Sequence, residues 1–562
     1  MFRRVFVSPR IVAETVAFSR IVITNAKREV NTKTASSSPT AAASAAGLPS
    51  WGSFQSALPP LTPNSFSSPI VVIGYGNIGR GVLPLLERHF TVSPSQLHVV
   101  EPLATTVCAG LPSRGYNNVH NLGLTKDNYK SVLDGIFAGG PTGHTGNGAC
   151  GTIRGMMVNC SVDTSSVDLA KYAQSQNLLY VDTVVEPWLG YYWQRDLTTA
   201  QRSNYALREE LLALKRQTGG KGSTCVSCVG ANPGMVSWLV KDALMTLARD
   251  VAKDSGVGNT TTPKSKQEWA ELMQTLGVKG VHIAERDTQF PKTNANVVNE
   301  FLNTWSVEGF LSEGFQPSEL GWGTHERWMP ENAKRHTTGC KSGIYLEQPG
   351  ASTQVRTWCP TLGPQHGYLV THNEAISISD YFTVEGGRGL DNPVYRPTVH
   401  YAYRPCDAAV LSFHEVFGRG NVPQSKLRVM LEKDIAGGHD ELGVLLYGHS
   451  KNALWLGSTL SHDACLQLAP EQNATALQVT SAMVAALTWA LNNSQRGVVE
   501  AEELDHDACL AVQRPYLGKY WHQYTNWTPL DAILPSPKNV SMFAPKDRTD
   551  VSDPWQFSNI LV

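Results

Sequence analysis

The sequence predicts an α/β protein in which a doubly wound parallel sheet is joined to a second α+β domain with a mixed sheet. An apolar segment, a glycine-rich turn and a helix-like segment follow one another over residues 70–90. Three further apolar segments end in polar residues and alternate with helix-like stretches, as parallel strands and their crossover helices do. From residue 232 to 470 Gly, Pro, Trp, His and Tyr are frequent and the alternation is lost, which indicates a separate domain.

The composition excludes some classes of function. The chain has 562 residues, 41% of them hydrophobic, which is enough for two or three domains. Its formal net charge of -1 lacks the basic surplus with which nucleic-acid-binding proteins displace counterions. No run of 18 apolar residues is present, so no membrane span is expected.

Residues 1–62 differ from the rest of the chain and are expected to lie outside the fold. The segment is rich in Arg, Ser and Ala and has few acidic residues, which is typical of an organelle transit peptide. This composition predicts a mitochondrial location. The alternative is a disordered extension that carries no targeting signal, on a cytoplasmic protein.

A dinucleotide-binding loop is predicted at residues 74–79. The apolar run IVVI (70–73) precedes GYGNIG, and a helix-like segment follows. In such a loop the first glycine permits a tight turn, the second lets the backbone approach the pyrophosphate, and the third lets helix and strand pack closely. The phosphates then bind the free N–H groups at the helix N-terminus. The residues assigned to the cofactor here are Gly74, Gly76, Asn77, Ile78 and Gly79.

An acidic residue at the end of the second strand selects the cofactor. The strand LHVV (97–100) ends at Glu101, about 20 residues past the loop, as in Rossmann-type folds. A carboxylate there hydrogen-bonds the ribose 2′-hydroxyl and repels the 2′-phosphate of NADP, so the sequence predicts NAD.

Polar residues follow the next three strands, within 156–166, 178–188 and 223–235. Because ligands of doubly wound sheets bind at the carboxyl ends of the strands, these residues are expected on one rim with the glycine loop. They are Asn159, Ser161 and Thr183, assigned to the cofactor, and Asp163, Glu186 and Asn232.

The predicted domains are discontinuous in sequence. Residues 63–231 and 471–562 form the NAD-binding domain, since the helix predicted at 477–493 is expected to return to it. Residues 232–470 form a domain for substrate binding and dimerisation. Insertions are expected at 138–150 and at about 250–267.

No metal site is predicted. Among the 10 cysteines the one close pair is Cys225 and Cys228, and no second pair completes a zinc site. The pair is interpreted as small residues on a buried strand, with a redox or metal role as the alternative. The segment GWGTHE (321–326) lacks the HExxH spacing of a zinc enzyme.

Longer motifs resemble those of a known enzyme family. They include GYGNIGRGVLPLLERHF (74–90), NCSVDTSS (159–166), DTVVEPW (182–188), GANPGMVSWLVKDAL (230–244), HIAERDTQ (282–289), NTWSVEGFLSEGFQPSELGWGTHE (303–326), QPGASTQVRTW (348–358), THNEAISISDYF (371–382), YRPCDAAVLSFHE (403–415) and DELGVLLYGH (440–449). These segments are similar to the homospermidine synthases, within the wider saccharopine dehydrogenase-like group. The resemblance covers roughly residues 70–560.

The resemblance implies an aminobutyl transfer. Two putrescine molecules give homospermidine and ammonia, through an imine, with NAD reduced and reoxidised in one cycle. It also implies a homodimer. Carboxylates and an aromatic face suit a diamine, which is a dication at neutral pH. By similarity to the family, the catalytic residues are Asp163, Glu186, Asn232, Glu285, Trp305, His372 and Glu374.

Several alternatives remain open at this stage. A saccharopine- or carboxyspermidine-type dehydrogenase would need an arginine fork for its substrate carboxylates, for which Arg356 and Arg404 are candidates. A non-catalytic NAD-binding regulator would need no acidic rim. Spermidine is an alternative aminobutyl donor, and the general base is either a carboxylate or His372.

Overall fold

A computed structural model describes residues 58–562 apart from 139–152, 195, 257–260, 294–296, 387–388, 390–391 and 537–542. Most of the predicted extension and of the insertion at 138–150 therefore lies outside the described residues. Residues 58–62 already belong to the fold, because Leu58 is buried in the core and Arg88 donates a hydrogen bond to the carbonyl of Pro59.

The first sheet has seven strands, all parallel. Their order is β20-β6-β5-β4-β1-β2-β3, so β1 lies between the two directions in which the chain winds. The prediction of a doubly wound sheet is confirmed, and the switch point beside β1 is where such sheets bind ligands. The strands are β1 (Ile70–Ile73), β2 (Leu97–Val100), β3 (Asn118–His120), β4 (Met156–Asn159), β5 (Leu179–Asp182), β6 (Cys225–Ser227) and β20 (Val498–Glu500).

The second sheet is mixed, as predicted. Its main path runs β11-β12-β10-β15-β7-β18-β19-β21, with β13 and β14 attached through β15, and β15 is parallel to β7. The strands are β7 (Gly280–Asp287), β10 (Pro317–Gly321), β11 (Ala333–Arg335), β12 (Gly343–Pro349), β13 (Gln354–Cys359), β14 (Gly363–Tyr368), β15 (Thr398–Arg404), β18 (His439–His449), β19 (Asn452–Ser461) and β21 (Lys519–Thr525). Two short ladders pair β8 (Phe290–Pro291) with β17 (Ile435–Gly437) and β9 (Glu300–Asn303) with β16 (Lys426–Val429).

Helices cover both sheets. They are α1 (Asn77–His89), α2 (Ala104–Val107), α3 (Tyr129–Phe137), α4 (Ser166–Gln176), α5 (Asn204–Gln217), α6 (Met235–Asp254), α7 (Lys266–Thr275), α8 (Val307–Phe315), α9 (Asn373–Tyr381), α10 (Asp407–Gly418), α11 (His462–Leu468), α12 (Ala474–Asn492), α13 (His506–Gln513) and α14 (Phe557–Ile560). The start of the insertion expected near 250–267 is therefore the last turn of α6.

The C-terminal segment 471–562 contributes to both sheets. Helix α12 packs against α1 and β20 pairs with β6, as expected for the nucleotide-binding domain. Strand β21, however, pairs with β19 of the mixed sheet, and the buried residue Phe557 joins the core on that sheet. The assignment of the whole segment to one domain did not anticipate this crossing, since strand pairing over such a distance leaves no local sequence signal.

Helix α12 is long and apolar enough to cross a bilayer, by length and composition alone. No membrane span was expected from the sequence, which has no run of 18 apolar residues. In the fold 89% of its most apolar stretch is buried inside the protein, which is typical of a core helix.

Candidate active site

The glycine loop joins β1 to α1, and its glycines are required for different reasons. Gly74 has a φ of +84° and lies against the backbone of Cys160, 3.0 Å from where its Cβ would be. A Cβ on Gly79 would lie 2.1 Å from the carbonyl oxygen of Gly74. A Cβ on Gly76 would meet nothing within 4 Å. Packing therefore explains the first and third glycines, whereas Gly76 leaves an open cradle of the kind that a pyrophosphate fills.

Glu101 lies at the rim of this cradle. Its Oε2 accepts a hydrogen bond from the backbone N–H of Tyr75 at 2.8 Å, and its Oε1 accepts one from Leu103 at 2.9 Å. Arg114 pairs with Glu87 and Glu471 instead. The loop thus holds a carboxylate where the ribose 2′-hydroxyl is expected, and these residues fit NAD better than NADP.

The other residues assigned to the cofactor are half-buried, apart from Asn159, which is buried. Asn159 is buried, and its Oδ1 accepts a hydrogen bond of 2.6 Å from the hydroxyl of Ser161. It therefore positions Ser161, while Thr183 is half-buried at the end of β5. Ile78 packs partly against the core, and Asn77 donates to the backbone carbonyl of Thr304 in the second domain.

A cavity of about 660 Å³ lies where the loops after β4 and β5 face α8. Asp163, Glu186 and Glu308 line it. Burial, followed by the charges of Asp163 and Glu313, raises the pKa of Glu186 to about 8. Burial and Glu308 raise the pKa of Asp163. The cavity is acidic and suited to cations, and among the described residues that line it Arg202 is the one cation.

Glu285 is buried on β7. Its Oε2 accepts hydrogen bonds from the hydroxyl of Tyr401 at 2.5 Å and from the side-chain amide of Asn232 at 2.9 Å. Burial raises its pKa to about 7, although both hydrogen bonds oppose that shift. Glu285 can therefore exchange a proton near neutral pH.

His372 lies between two carboxylates. Its Nδ1 is 3.1 Å from Glu374, and its Nε2 is 3.0 Å from Glu313. Burial alone would lower its pKa, but the two carboxylates together raise the pKa well above the usual value. Both ring nitrogens thus face carboxylates, which favours the protonated imidazole over the free base.

Trp305 is connected to Glu285 and His372 through two tyrosines. Its indole N–H donates to the hydroxyl of Tyr403 at 3.0 Å. The ring of Tyr403 stacks on Tyr401, with centroids 5.1 Å apart, and Tyr401 in turn lies 4.3 Å from the ring of His372. A continuous set of contacts thus links Trp305, Glu285 and His372.

Comparisons with known proteins decide the family. Residues 70–226 match the model of the saccharopine dehydrogenase NADP binding domain, and residues 230–523 match the saccharopine dehydrogenase C-terminal domain. The homospermidine synthase of Blastochloris viridis is 53% identical over 497 residues, which cover 88% of this chain and 97% of that protein. The chain belongs to the homospermidine synthase family. The homospermidine synthase of Mesorhizobium japonicum is 51% identical, over 88% of this chain and 96% of its own.

A solved homospermidine synthase shares the architecture. The protein from Legionella pneumophila, described in complex with NAD, is 37% identical with a TM-score of 0.77, over 89% of this chain and 99% of that one. The resemblance stated from the motifs is therefore confirmed. The roles of the individual site residues in this homospermidine synthase family member stay predictions.

Sequence reasoning missed four residues of the site: Tyr401, Tyr403, Glu308 and Glu313. The tyrosines alternate on β15 and share the face that carries Ile283 of β7, while Ala284 and Ala402 face the opposite core. Period-2 spacing in HYAYR was the available signal. The two glutamates lie in the same motif as Trp305.

The sequence candidates for an arginine fork lie elsewhere. Arg356 donates to the backbone carbonyls of Asn559 and Leu561, and Arg404 pairs with Asp407. Neither lines the cavity.

The described cysteines are free thiols, and Cys225 and Cys228 are both buried. Among the residues that the structure describes, no group of three His, Cys, Asp or Glu side chains is placed to hold a metal.

Proposed function

We propose that this chain forms homospermidine and ammonia from two putrescine molecules, or from spermidine and putrescine, with NAD reduced and reoxidised in the same cycle. One observation carries the proposal: the buried carboxylate of Glu285 is linked to the indole of Trp305 through Tyr401 and Tyr403, and Thr304, next to that indole, accepts a hydrogen bond from Asn77 of the dinucleotide loop. The family membership supports the same reaction.

Charge explains how the cavity selects a diamine. Alkyl ammonium groups have pKa values near 10, so putrescine enters as a dication. Carboxyl groups of Asp163, Glu186 and Glu308 line the cavity, and an ammonium placed beside Glu186 favours its ionised form. Trp305 does not line this cavity but lies beside Gly309, which does, and an ammonium over an indole face gains about 0.5–2 kcal/mol.

The protonation states fit an amine that must become neutral. Bound NAD supplies the hydride chemistry, taking a hydride from the carbon that bears the amine and later returning it. Glu285 is suited to take the ammonium proton, since its pKa is raised to about 7. His372 is held protonated by Glu313 and Glu374, so it donates hydrogen bonds and orients those carboxylates.

Water must be kept from the substrate imine, which hydrolyses readily. Apolar side chains of Leu311 and Phe315 line the cavity together with the carboxylates. The walls thus combine charge for binding with apolar area that excludes water.

The deciding experiment is incubation of the purified protein with putrescine and a catalytic amount of NAD. We expect homospermidine and ammonia, detected by mass spectrometry and an ammonia assay, at many turnovers per NAD. Accumulation of NADH in proportion to product would instead identify an ordinary dehydrogenase. No product and no NADH would identify a regulator. Repeating the assay with spermidine as donor separates the two aminobutyl sources.

A carboxylate-bearing substrate is the competing class. It would require positive charge, and Arg202 is the one candidate that the described cavity lining offers. Its Nη1 donates a 3.5 Å hydrogen bond to the backbone carbonyl of Tyr192. Calorimetry with putrescine and with saccharopine compares the classes directly, and tighter binding of saccharopine would overturn the proposal.

We also infer that two copies associate through the second domain, as the resemblance implies. Light scattering on the purified chain tests this, and a mass of one chain at micromolar concentration contradicts it.

For the location, we propose mitochondria, from the Arg- and Ser-rich composition of residues 1–62. A fusion of residues 1–62 to a fluorescent protein should enter mitochondria in eukaryotic cells. A cytoplasmic signal would remove that proposal.

A further inference from the structure

The backbone carbonyl of Thr304 joins three parts of the molecule. It accepts a hydrogen bond from the side-chain amide of Asn77, the first residue of α1, at 3.3 Å. It accepts a second from Asn473, the N-cap of α12, at 2.6 Å. Thr304 is fully buried, and the next residue is Trp305. Asn77 of the glycine loop is thus hydrogen-bonded to the residue that precedes Trp305.

The side chain of Thr304 is held equally firmly. Its hydroxyl donates to Asp287 at 2.6 Å. The other oxygen of Asp287 accepts hydrogen bonds from the backbone and side-chain amides of Gln289, which also donates to Thr475. The threonine therefore has almost no freedom to shift while this buried network is intact.

Trp305 is fixed at both ends as a result. Consecutive Cα atoms lie about 3.8 Å apart, so the position of Thr304 sets that of the Trp305 backbone. Tyr403 holds the far edge of the indole through the ring N–H. The separation between the indole face and the dinucleotide loop is then set by Asn77 and Asn473.

We propose that Asn77 and Asn473 are positioning residues, which place the ammonium-binding face of Trp305 at a fixed distance from the cofactor loop. This inference rests on the proposed function for its meaning in catalysis. It assigns Asn77 a role across the domain boundary in addition to the predicted place in the cofactor loop.

The chain offers variants that remove the contact. Asn473→Ser keeps an oxygen for the cap bond that Ala476 donates, but it removes the amide that donates to the carbonyls of Thr304 and Met430. Asn77→Ala removes the other donor. Asn118→Ala is the matched control, since its amide donates to the carbonyl of Ser95 at the amino end of β3, away from the cofactor side.

The first measurement is putrescine binding by calorimetry, alone and in the Trp305→Ala background. Loss of the hydrogen bond to Thr304 predicts about 3- to 10-fold weaker binding for Asn77→Ala and for Asn473→Ser, which also loses its bond to Met430, and no change for Asn118→Ala. In the Trp305→Ala background we expect the two losses to fall below about twofold, because the contact acts through the indole. Equal losses of affinity in both backgrounds would overturn the inference. Unchanged putrescine binding by Asn473→Ser and Asn77→Ala in the protein that retains Trp305 would also overturn it.

The second measurement is the deuterium isotope effect on turnover with putrescine deuterated beside the amines. We expect the effect to increase in Asn473→Ser, because a displaced ammonium slows hydride transfer. Partial unfolding would lower the rate and leave the isotope effect unchanged, which would contradict positioning. A wild-type protein that forms no homospermidine would contradict the proposed function. The positioning inference would still be tested, because calorimetry measures putrescine binding without turnover.

Discussion

At the scale of single residues, the site separates groups that can accept a proton from one that cannot. Glu285 and Glu186 have pKa values raised to about 7 and 8, mainly by burial. Glu313 and Glu374 raise the pKa of His372 and so favour its protonated form. Sequence alone left the general base open between these groups. The geometry favours the carboxylates, and Glu285 first, because Tyr401 and Asn232 orient it.

Glu285→Gln should lower kcat by about 10²–10⁴, the usual contribution of a general base. In the wild type we expect kcat/KM to rise with pH through about 7, as the carboxylate loses its proton. This limb of the pH profile should disappear in the variant. Glu347→Gln, at an exposed position of the cavity that Asp163 and Glu186 line, is the control and should keep the limb. Retention of the limb in Glu285→Gln would assign the proton to another group.

Trp305→Ala should weaken putrescine binding by about 0.5–2 kcal/mol, and Trp305→Phe by less, since a phenyl face also attracts cations. Titration calorimetry measures both. Trp521→Ala is the control, because that indole lies on β21 and donates to Thr459. Equal binding in the wild type and in Trp305→Ala would remove the indole from the amine site.

At the scale of elements, the turn between β1 and α1 shows that neighbouring glycines have unequal roles. Gly79 is needed for packing against Gly74, whereas Gly76 faces open space. The sequence pattern predicts both as part of one motif and does not separate them. The structure separates them, because the distance from each Cβ position to the nearest atom shows whether a glycine is needed for packing or leaves room for a ligand.

Gly76→Ala should leave the melting temperature nearly unchanged and weaken NAD binding by about tenfold or more, because a methyl group would occupy the cradle. Gly79→Ala should destabilise the fold itself, since its Cβ would meet the carbonyl of Gly74. Thermal unfolding and NAD titration of both variants test the contrast. A Gly76→Ala protein with native NAD affinity would place the pyrophosphate elsewhere.

Local patterns predicted β1, β2, β4, β5 and β6 well, because each of these strands carries its own apolar run and polar end, whereas the short, half-buried β3 was not predicted. The site was predicted in part, where carboxylates or an indole stand out in a motif. Tyr401 and Tyr403 were missed because their role depends on the register of β15 against β7. The split of the C-terminal segment between the two sheets was missed for the same reason, since such pairings are not local.

At the scale of the whole molecule, several glutamates are buried in the interior, and burial raises their pKa values. Burial is the main cause that raises the pKa of Glu502 to about 7, as it does for Glu285 and Glu186. An unfolded glutamate titrates near 4.5. The folded chain therefore binds more protons than the unfolded chain at neutral pH.

The melting temperature should fall by roughly a few degrees between pH 6.5 and 8. The stabilisation from protonated Glu285, Glu502 and Glu186 is complete below about 4.5 and is lost as pH rises through 7 to 8. Below pH 6.5 the buried histidines with lowered pKa values, such as His89, make stability increase with pH. Above pH 8 Lys241, whose pKa is also lowered, has the same effect.

Calorimetric scans with and without putrescine check this. Putrescine should raise the melting temperature more at pH 8 than at pH 6.5, because its charges replace the lost protons. Glu186→Gln should flatten the slope. A melting temperature that is constant or rises over this range would contradict the titration of the buried acids.

Strand β20 is synthesised late, because it lies near the C-terminal end of the sequence, and this has a consequence for folding during translation. This strand completes the parallel sheet beside β6, yet the ribosome makes it only after almost the entire second domain. At about 5–20 residues per second, the edge of β6 waits roughly ten seconds or more for its neighbour. An unpaired strand edge invites pairing with other nascent chains, so chaperone demand during translation should be set by this edge rather than by the size of the protein.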